Sequence, residues 1–150
     1  TVFDLISGYD LYDLHSIGRL DIDTEGLIIL TNDGDLTHKL ISPKQHVAKE
    51  YHVLSKKPLS EDLVEVFKDG IVFRDGYKCL PAIIKILGEN NAVVTIFEGK
   101  FHQIKKMFFA TDNEVVSLNR LSINGLTLDE KLKPGDFREL TNEELLKLKS

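Results

Sequence analysis

A single cysteine, Cys79, in 150 residues excludes an internal disulfide framework and agrees with a reducing compartment. Long hydrophobic runs are also missing. Stretches such as Leu27 to Leu30 fall far short of the roughly 20 apolar residues that cross a bilayer, so no membrane partner is expected. The first ten residues carry carboxylates and no basic group, unlike a secretory leader. Proline is sparse, with four residues spaced singly at 43, 58, 81 and 134, and no repeat or Pro/Gly-rich linker divides the chain. What is left describes one soluble globular domain. At this length a fold buries about 68–70% of its unfolded surface and needs no disulfide or metal staple. Thr1 in place of Met suggests a piece of a longer chain.

The formal net charge of −5 is unevenly distributed. Residues 1–35 hold eight acidic residues and one basic, whereas 36–57 hold five basic and one acidic, and 98–106 three basic and one acidic. Two basic segments therefore stand out from an acidic background. Solvated surface lysines would explain them equally well, because phosphate contact depends on clustering in space more than on net charge.

Periodicity predicts a strand at His15 to Asp21, another at Leu27 to Thr31, and a turn at Asn32-Asp33-Gly34 opening a helix over Asp35 to Ile41. A strand follows at Glu50 to Ser55. Ser60 is expected to cap a helix through Phe67 that Gly70 stops. Further strands are expected at Ile71 to Arg74, Ala82 to Leu87, Ala92 to Glu98 and Val115 to Asn119, with a helix from Phe101 to about Ala110. Thr141-Asn142-Glu143-Glu144 is a capping box for a C-terminal helix. Without regular βαβ alternation, the fold class is α+β, with a mixed, mainly antiparallel sheet and flanking helices.

Gly18-Arg19-Leu20-Asp21-Ile22-Asp23-Thr24-Glu25-Gly26 is the most unusual segment. A calcium loop would use Asp21, Asp23 and Glu25, but its twelfth position is Asn32, which cannot supply the bidentate carboxylate. A glycosidase-like pair is open on spacing, since alternation puts Asp21 and Asp23 on one strand face about 6.6 Å apart. A single nucleophilic carboxylate at Asp21 with Arg19 on the same face is open too, with Leu20 and Ile22 turned to the core. So is a surface turn of ordinary acids. His38, His46, His52 and His102 do not combine with Cys79 at zinc-finger spacing, and no metal is expected.

Taken together, GRLDIDTEGLIILTNDGDLTHKL, Lys49-Glu50-Tyr51, the run from Glu98 to Phe108 (EGKFHQIKKMF), and Leu118-Asn119-Arg120 to Ile123-Asn124-Gly125 resemble, in order and spacing, the RsuA/RluB/RluE/RluF family of ribosomal RNA pseudouridine synthases. The resemblance covers the chain from Thr1 to about Glu144. It implies a catalytic domain over residues 1–150 with a central active-site cleft, without the small S4-type RNA-binding domain that full members carry at their N-terminus. It further implies that Asp21 is the catalytic aspartate, which attacks the target nucleotide or starts glycosidic cleavage. The uracil then detaches, rotates and rejoins the ribose through carbon, with no cofactor. Tyr51 would stack on the flipped uracil and accept a proton, Lys105 would pair with Asp21, Ile104 would pack on the base, and Arg19 would contact RNA beside the nucleophile. Lys49, Lys44, Lys100, Lys106, His102, Gln103 and Arg120 are expected to bind substrate RNA, with Lys39, His46, Lys56 and Lys57 on the cleft rim. Lys100 and Lys106 stand where relatives often have arginine, keeping charge but losing the bidentate fork.

The residues allow two of these roles to be weighed. At about 100° per residue, Phe101, Ile104 and Phe108 share a helix face, Lys105 falls at its edge and Lys106 nearly opposite. A partly buried lysine keeps its proton only beside a counter-charge, which favours Lys105 over Lys106 as the partner of Asp21. It could equally snorkel along the core edge. Alternation puts Lys49, Tyr51 and Val53 on one strand face without deciding core from cleft.

The expected partner is ribosomal RNA or an assembly particle, small-subunit RNA before large, acted on by a monomer in the cytoplasm. Two other classes remain as alternatives: a non-catalytic RNA-binding or ribosome-assembly module, and a carbohydrate hydrolase needing both Asp21 and Asp23.

Overall fold

The computed structural model describes residues 2–6, 14–18, 20, 24–42, 46–100 and 102–149. Asp21, Arg19 and Lys44 lie outside them, as do Ile22, Asp23 and Phe101. After a 3-10 turn at Val2–Leu5 come β1 (His15–Ile17), β2 (Thr24–Gly26), β3 (Ile29–Thr31), α1 (Gly34–Ile41), β4 (Lys49–Ser55), α2 (Leu63–Asp69), β5 (Ile83–Gly88), β6 (Asn91–Ile96), α3 (Gln103–Ala110), β7 (Val115–Ile123), β8 (Leu126–Thr127) and α4 (Asn142–Lys149). The main sheet runs β2-β7-β4-β6-β5, with β8 folded back on β7, and β1 and β3 form a separate pair. Among the described residues only β2 and β7 pair in parallel. This is the expected α+β class. No helix among the described residues is long and apolar enough to cross a membrane.

Local chemistry accounts for the best-anticipated elements. Asp33 caps α1, its carboxylate accepting from the N–H groups of Asp35 at 3.0 Å and Leu36 at 3.1 Å. At the other end of the chain the α4 capping box closes reciprocally, with Glu144 N–H donating to Thr141 Oγ1 at 3.1 Å and Thr141 N–H to Glu144 Oε1 at 2.9 Å. Gly70 ends α2 at φ 92°, where a Cβ would stand 2.6 Å from the Cys79 carbonyl oxygen, so both the conformation and the close approach require glycine.

Other expectations are corrected. Ser60 is not the cap of α2: the Ser60 carbonyl accepts from Leu63 N–H at 3.1 Å and its hydroxyl bonds the Asp62 carboxylate, so a tight turn precedes the helix. Ile71 to Arg74 is not a strand. Its alternating burial is real, with Ile71 and Phe73 inside and Val72 and Arg74 outside. Yet Phe73 N–H donates to Tyr77 O at 2.8 Å, and the segment doubles back on itself through one Val72–Lys78 bridge. The strand expected over Leu27 to Thr31 is shortened to β3, with Leu27 and Ile28 linking the two sheets. Gly26 ends β2 at φ 118°, Leu27 N–H donates to Arg120 O at 2.9 Å, and Ile29 begins the pairing with β1.

Two hydrophobic cores flank this crossover. One packs β4, β5 and β6 against Phe67 of α2 and Ile104, Met107 and Phe108 of α3. The other joins Leu36 and Leu40 of α1 to Ile17, Ile29, Ile123 and Leu148.

Candidate active site

A cavity of about 150 Å³ opens where β4, β7 and the start of α3 meet the segment after β1. That is close to the volume of a cavity that admits one six-membered ring. Its wall includes Lys49, Tyr51, Lys100, His102, Gln103, Ile104 and Arg120, so seven of the expected site residues are gathered from three distant stretches of chain. Leu20 and Thr24, which bracket the Asp21 segment in sequence, line it as well.

The strands aim these side chains. Along β4 the pairing with β6 is unbroken, setting Lys49, Tyr51 and Val53 opposite Ile96, Val94 and Ala92 on one face. Val53 is fully buried while Tyr51 and Lys49 reach the cavity, so one face serves core at one end and cleft at the other. Across β7 the ladder slips between Glu50 and Tyr51, pairing Glu50 with Ser122 but Tyr51 with Arg120. Such a bulge redirects a side chain. It brings Arg120 against the cavity, and leaves Ser122 Oγ donating to Glu50 Oε1 at 2.8 Å.

Arg120 is the largest fully buried side chain among the described residues, 2% exposed. Its Nε donates to the Leu27 carbonyl at 2.8 Å, fastening the sheet crossover. Lys49 stands near this guanidinium. Burial first, and the like charge of Arg120 second, hold the Lys49 ammonium below the usual lysine range. Two cations in one small cavity favour an anionic or carbonyl-rich ligand.

The entry to α3 is unusual. His102 adopts φ 52°, ψ 38°, a left-handed conformation rare for a residue with a Cβ. Gln103 N–H donates back to Lys100 O at 3.0 Å, closing the turn that sets His102, Gln103 and Ile104 on the wall. Behind this turn Glu98, 8% exposed, accepts from the Tyr77 hydroxyl and from Leu80 N–H at 2.6 Å. The bond to Glu98, with burial, pushes the Tyr77 phenol up to about 12, and Lys100 Nζ lies 4.6 Å from the Tyr77 ring centre.

Other expected residues stand outside the cavity wall. Lys105 is half-buried at the edge of α3, as its helical position predicts, and Lys106 is exposed with its ammonium 5.8 Å from the Phe73 ring centre. The wider basic rim is corrected. Lys56 and Lys57 sit at the far end of β4, pairing with Glu114 at 3.6 Å and Asp112 at 3.4 Å, and Lys39 Nζ donates to the Lys149 carbonyl. The extended rise of β4, about 3.3 Å per residue, carries Lys56 and Lys57 well away from the cavity end at Lys49. Thr24 and Glu98 were not anticipated as site residues. For Glu98 a signal existed: Ala92, Val94, Ile96 and Glu98 are all buried in strict period two.

Comparison with known proteins agrees with this fold. Residues 1–110 match the family described as RNA pseudouridylate synthase. The Vibrio cholerae ribosomal small subunit pseudouridine synthase A is 42% identical over 146 residues, covering 97% of this chain and 63% of that protein. The uncharacterized RNA pseudouridine synthase YtzG of Bacillus subtilis is 47% identical over 150 residues, again 97% of this chain and 63% of its own length. The chain thus spans less than two thirds of the curated relatives it matches. A solved structure described as a pseudouridylate synthase superposes with a TM-score of 0.94 at 42% identity, covering 99% of this chain and 65% of the other.

Proposed function

Since the chain belongs to the RNA pseudouridylate synthase family, we propose that it is a catalytic domain converting one uridine of ribosomal RNA, in the small subunit, to pseudouridine. One observation carries this reading: Leu20 and Thr24, on either side of Asp21 in sequence, line the same ring-sized cavity as Tyr51, Ile104 and Arg120.

In the proposed mechanism the target uridine is flipped out of its stack, since a base inside a duplex or tight loop is out of reach of protein side chains. The Asp21 carboxylate attacks the nucleotide or assists departure of the base, breaking the bond between N1 and C1′ of the ribose. The freed uracil turns and forms a bond from C5 to the same C1′. The proton on C5 leaves to Tyr51 or to water, and N1 regains one, so the product is an isomer and the step uses no cofactor or metal. Tyr51 stacks on the base, a contact worth about 1–3 kcal/mol, and Ile104 packs against it. Lys105 keeps Asp21 ionised, and Arg19 holds the neighbouring backbone. Lys49, Lys100 and Arg120, with Lys44, Lys106 and His102, take up phosphate charge. The enzyme would work as a monomer in the cytoplasm, on free RNA or an assembly particle.

The test incubates the chain and its Asp21→Ala variant with unmodified small- and large-subunit ribosomal RNA, then maps pseudouridine by chemical labelling and primer extension. A new stop that depends on Asp21 is expected in small-subunit RNA. A stop only in large-subunit RNA would move the substrate, and no stop in either RNA, or one that survives Asp21→Ala, would refute the reading. Asp23→Asn is expected to keep activity, which a two-carboxylate hydrolase would lose.

A further inference from the structure

Three buried side-chain atoms have no hydrogen-bond partner among the described residues: Thr24 Oγ1, Gln103 Oε1 and Arg120 Nη2. All three residues line the cavity. Buried polar atoms are nearly always paired, so three unmet ones on residues that line one cavity mark a place where a ligand can complete the bonding.

Their chemistry is specific. Gln103 is 5% exposed, and its Nε2 donates to Cys79 Sγ at 3.2 Å and Met107 Sδ at 3.5 Å. Both sulfurs belong to core residues behind the wall. Burial, then the charge of Glu98, pushes the Cys79 thiol up to about 11, so it stays neutral against the amide. With its nitrogen committed to the core, the amide has an acceptor oxygen left over. Arg120, with Nε committed to Leu27 O, has a donor left over. Thr24 can give or take a proton.

The Watson–Crick edge of uracil carries one donor, N3–H, between two carbonyl acceptors. Cytosine has no hydrogen on N3 and an amine in place of one carbonyl. We propose that Gln103 is a specificity-determining residue of the site, its Oε1 accepting N3–H of the flipped uracil while Arg120 Nη2 donates to a uracil carbonyl. Cytosine would set its own N3 acceptor against the Gln103 oxygen. A site built to hydrogen-bond a substrate group rejects an analogue that lacks it far more strongly than apolar contact does. The inference rests on the pseudouridine synthase reading of this cavity.

The test uses the 150-residue chain with two transcripts of the ribosomal RNA it converts, the second carrying cytidine at the converted position. The inhibition constant of the cytidine transcript is compared with the KM of the uridine transcript for the wild type, Gln103→Leu, Gln103→Met and Gln103→Glu, with thermal melts as the folding control. The wild type is expected to favour uridine by at least about 5-fold, the low end of what one hydrogen-bonded base contact supplies. Gln103→Leu and Gln103→Met bring the ratio towards one. Gln103→Glu, which keeps an acceptor, retains the preference at a lower rate. A wild-type ratio near one, or an unchanged ratio in whichever acceptor-free variant folds, overturns the assignment while leaving the synthase reading intact. Failure of the wild type to convert any uridine overturns both.

Discussion

Tyr51 and Arg120 face each other across the β4–β7 ladder, one ring and one buried guanidinium on the wall of a single cavity. Only the ladder slip beside Glu50 sets them opposite. Because stacking is sequence-tolerant and worth about 1–3 kcal/mol per base, Tyr51→Ala is expected to weaken substrate binding by about 5- to 150-fold. Tyr51→Phe keeps the ring and isolates the hydroxyl, so single-turnover rates for the two variants separate stacking from proton transfer. Equal losses in both would remove the stacking role.

Arg120 serves structure as well as site. Arg120→Met deprives the Leu27 carbonyl of its donor and is expected to lower stability by about 1–3 kcal/mol, the usual cost of stranding a buried polar group. The same substitution removes the like charge beside Lys49 and should raise the Lys49 pKa. Urea midpoints and an NMR titration of the lysine ammonium read the two effects separately.

Lys49 provides a pH dependence with a definite sign. Its folded pKa lies below the ordinary lysine value of 10.5, so between the two the unfolded chain binds more protons. Its contribution to stability therefore increases as pH climbs from the folded value towards 10.5, and is lost as pH falls through the folded value. Lys49→Met should flatten that part of the stability profile. It should also reduce the salt slope of RNA affinity by about one, a combination that a purely structural lysine would not produce.

Gly26 is constrained by the crossover it sits in. A Cβ there would lie 2.3 Å from the Arg120 carbonyl oxygen and 2.7 Å from Asn119 Oδ1, at φ 118°. Gly26→Ala is expected to destabilise by at least about 1–3 kcal/mol, the scale of a strained backbone conformation, and to part β2 from β7. A melt at wild-type temperature would show that the strands can yield.

The C-terminal cap should report on acid. Arg138 bonds Glu144 at 2.7 and 2.8 Å and Asp129 at 2.9 Å, and the Glu144 carboxyl is held down at about 2 by Arg138 and then by the Thr141 N–H. Its stabilising effect is complete above the ordinary glutamate value near 4.5 and disappears as pH falls towards about 2. Glu144→Gln should flatten that limb of an acid titration followed by circular dichroism. An unchanged limb would show that the cap does not hold α4.

The legible parts of the fold are those made by neighbours in the chain. Asp33 and the Thr141-to-Glu144 box bond backbone groups two or three residues away, so α1 and α4 open where the local pattern says. Helical spacing likewise set Ile104 inside, Lys105 at the edge and Lys106 outside α3. At Ile71 to Arg74 local pattern and backbone pairing part company. The alternation correctly forecasts which residues are buried, but a hairpin turn closing on Tyr77 claims the backbone bonds that a sheet strand would need. The basic segments misled for a related reason, since charge spacing along β4 says nothing of the distance from Lys49 to Lys57.

By itself the sequence determined the α+β class, the family-like motifs and the residue types available for chemistry, because these depend on local hydrogen bonds, periodicity and the order of side chains. The tertiary structure alone decided the parallel pairing of β2 with β7, the ladder slip that turns Arg120 inward, and the meeting of Thr24, Gln103 and Arg120 around one cavity. Those follow from contacts such as Arg120 with Leu27, 93 residues apart. No local preference encodes such contacts; they exist only when packing two cores together brings distant strands into register.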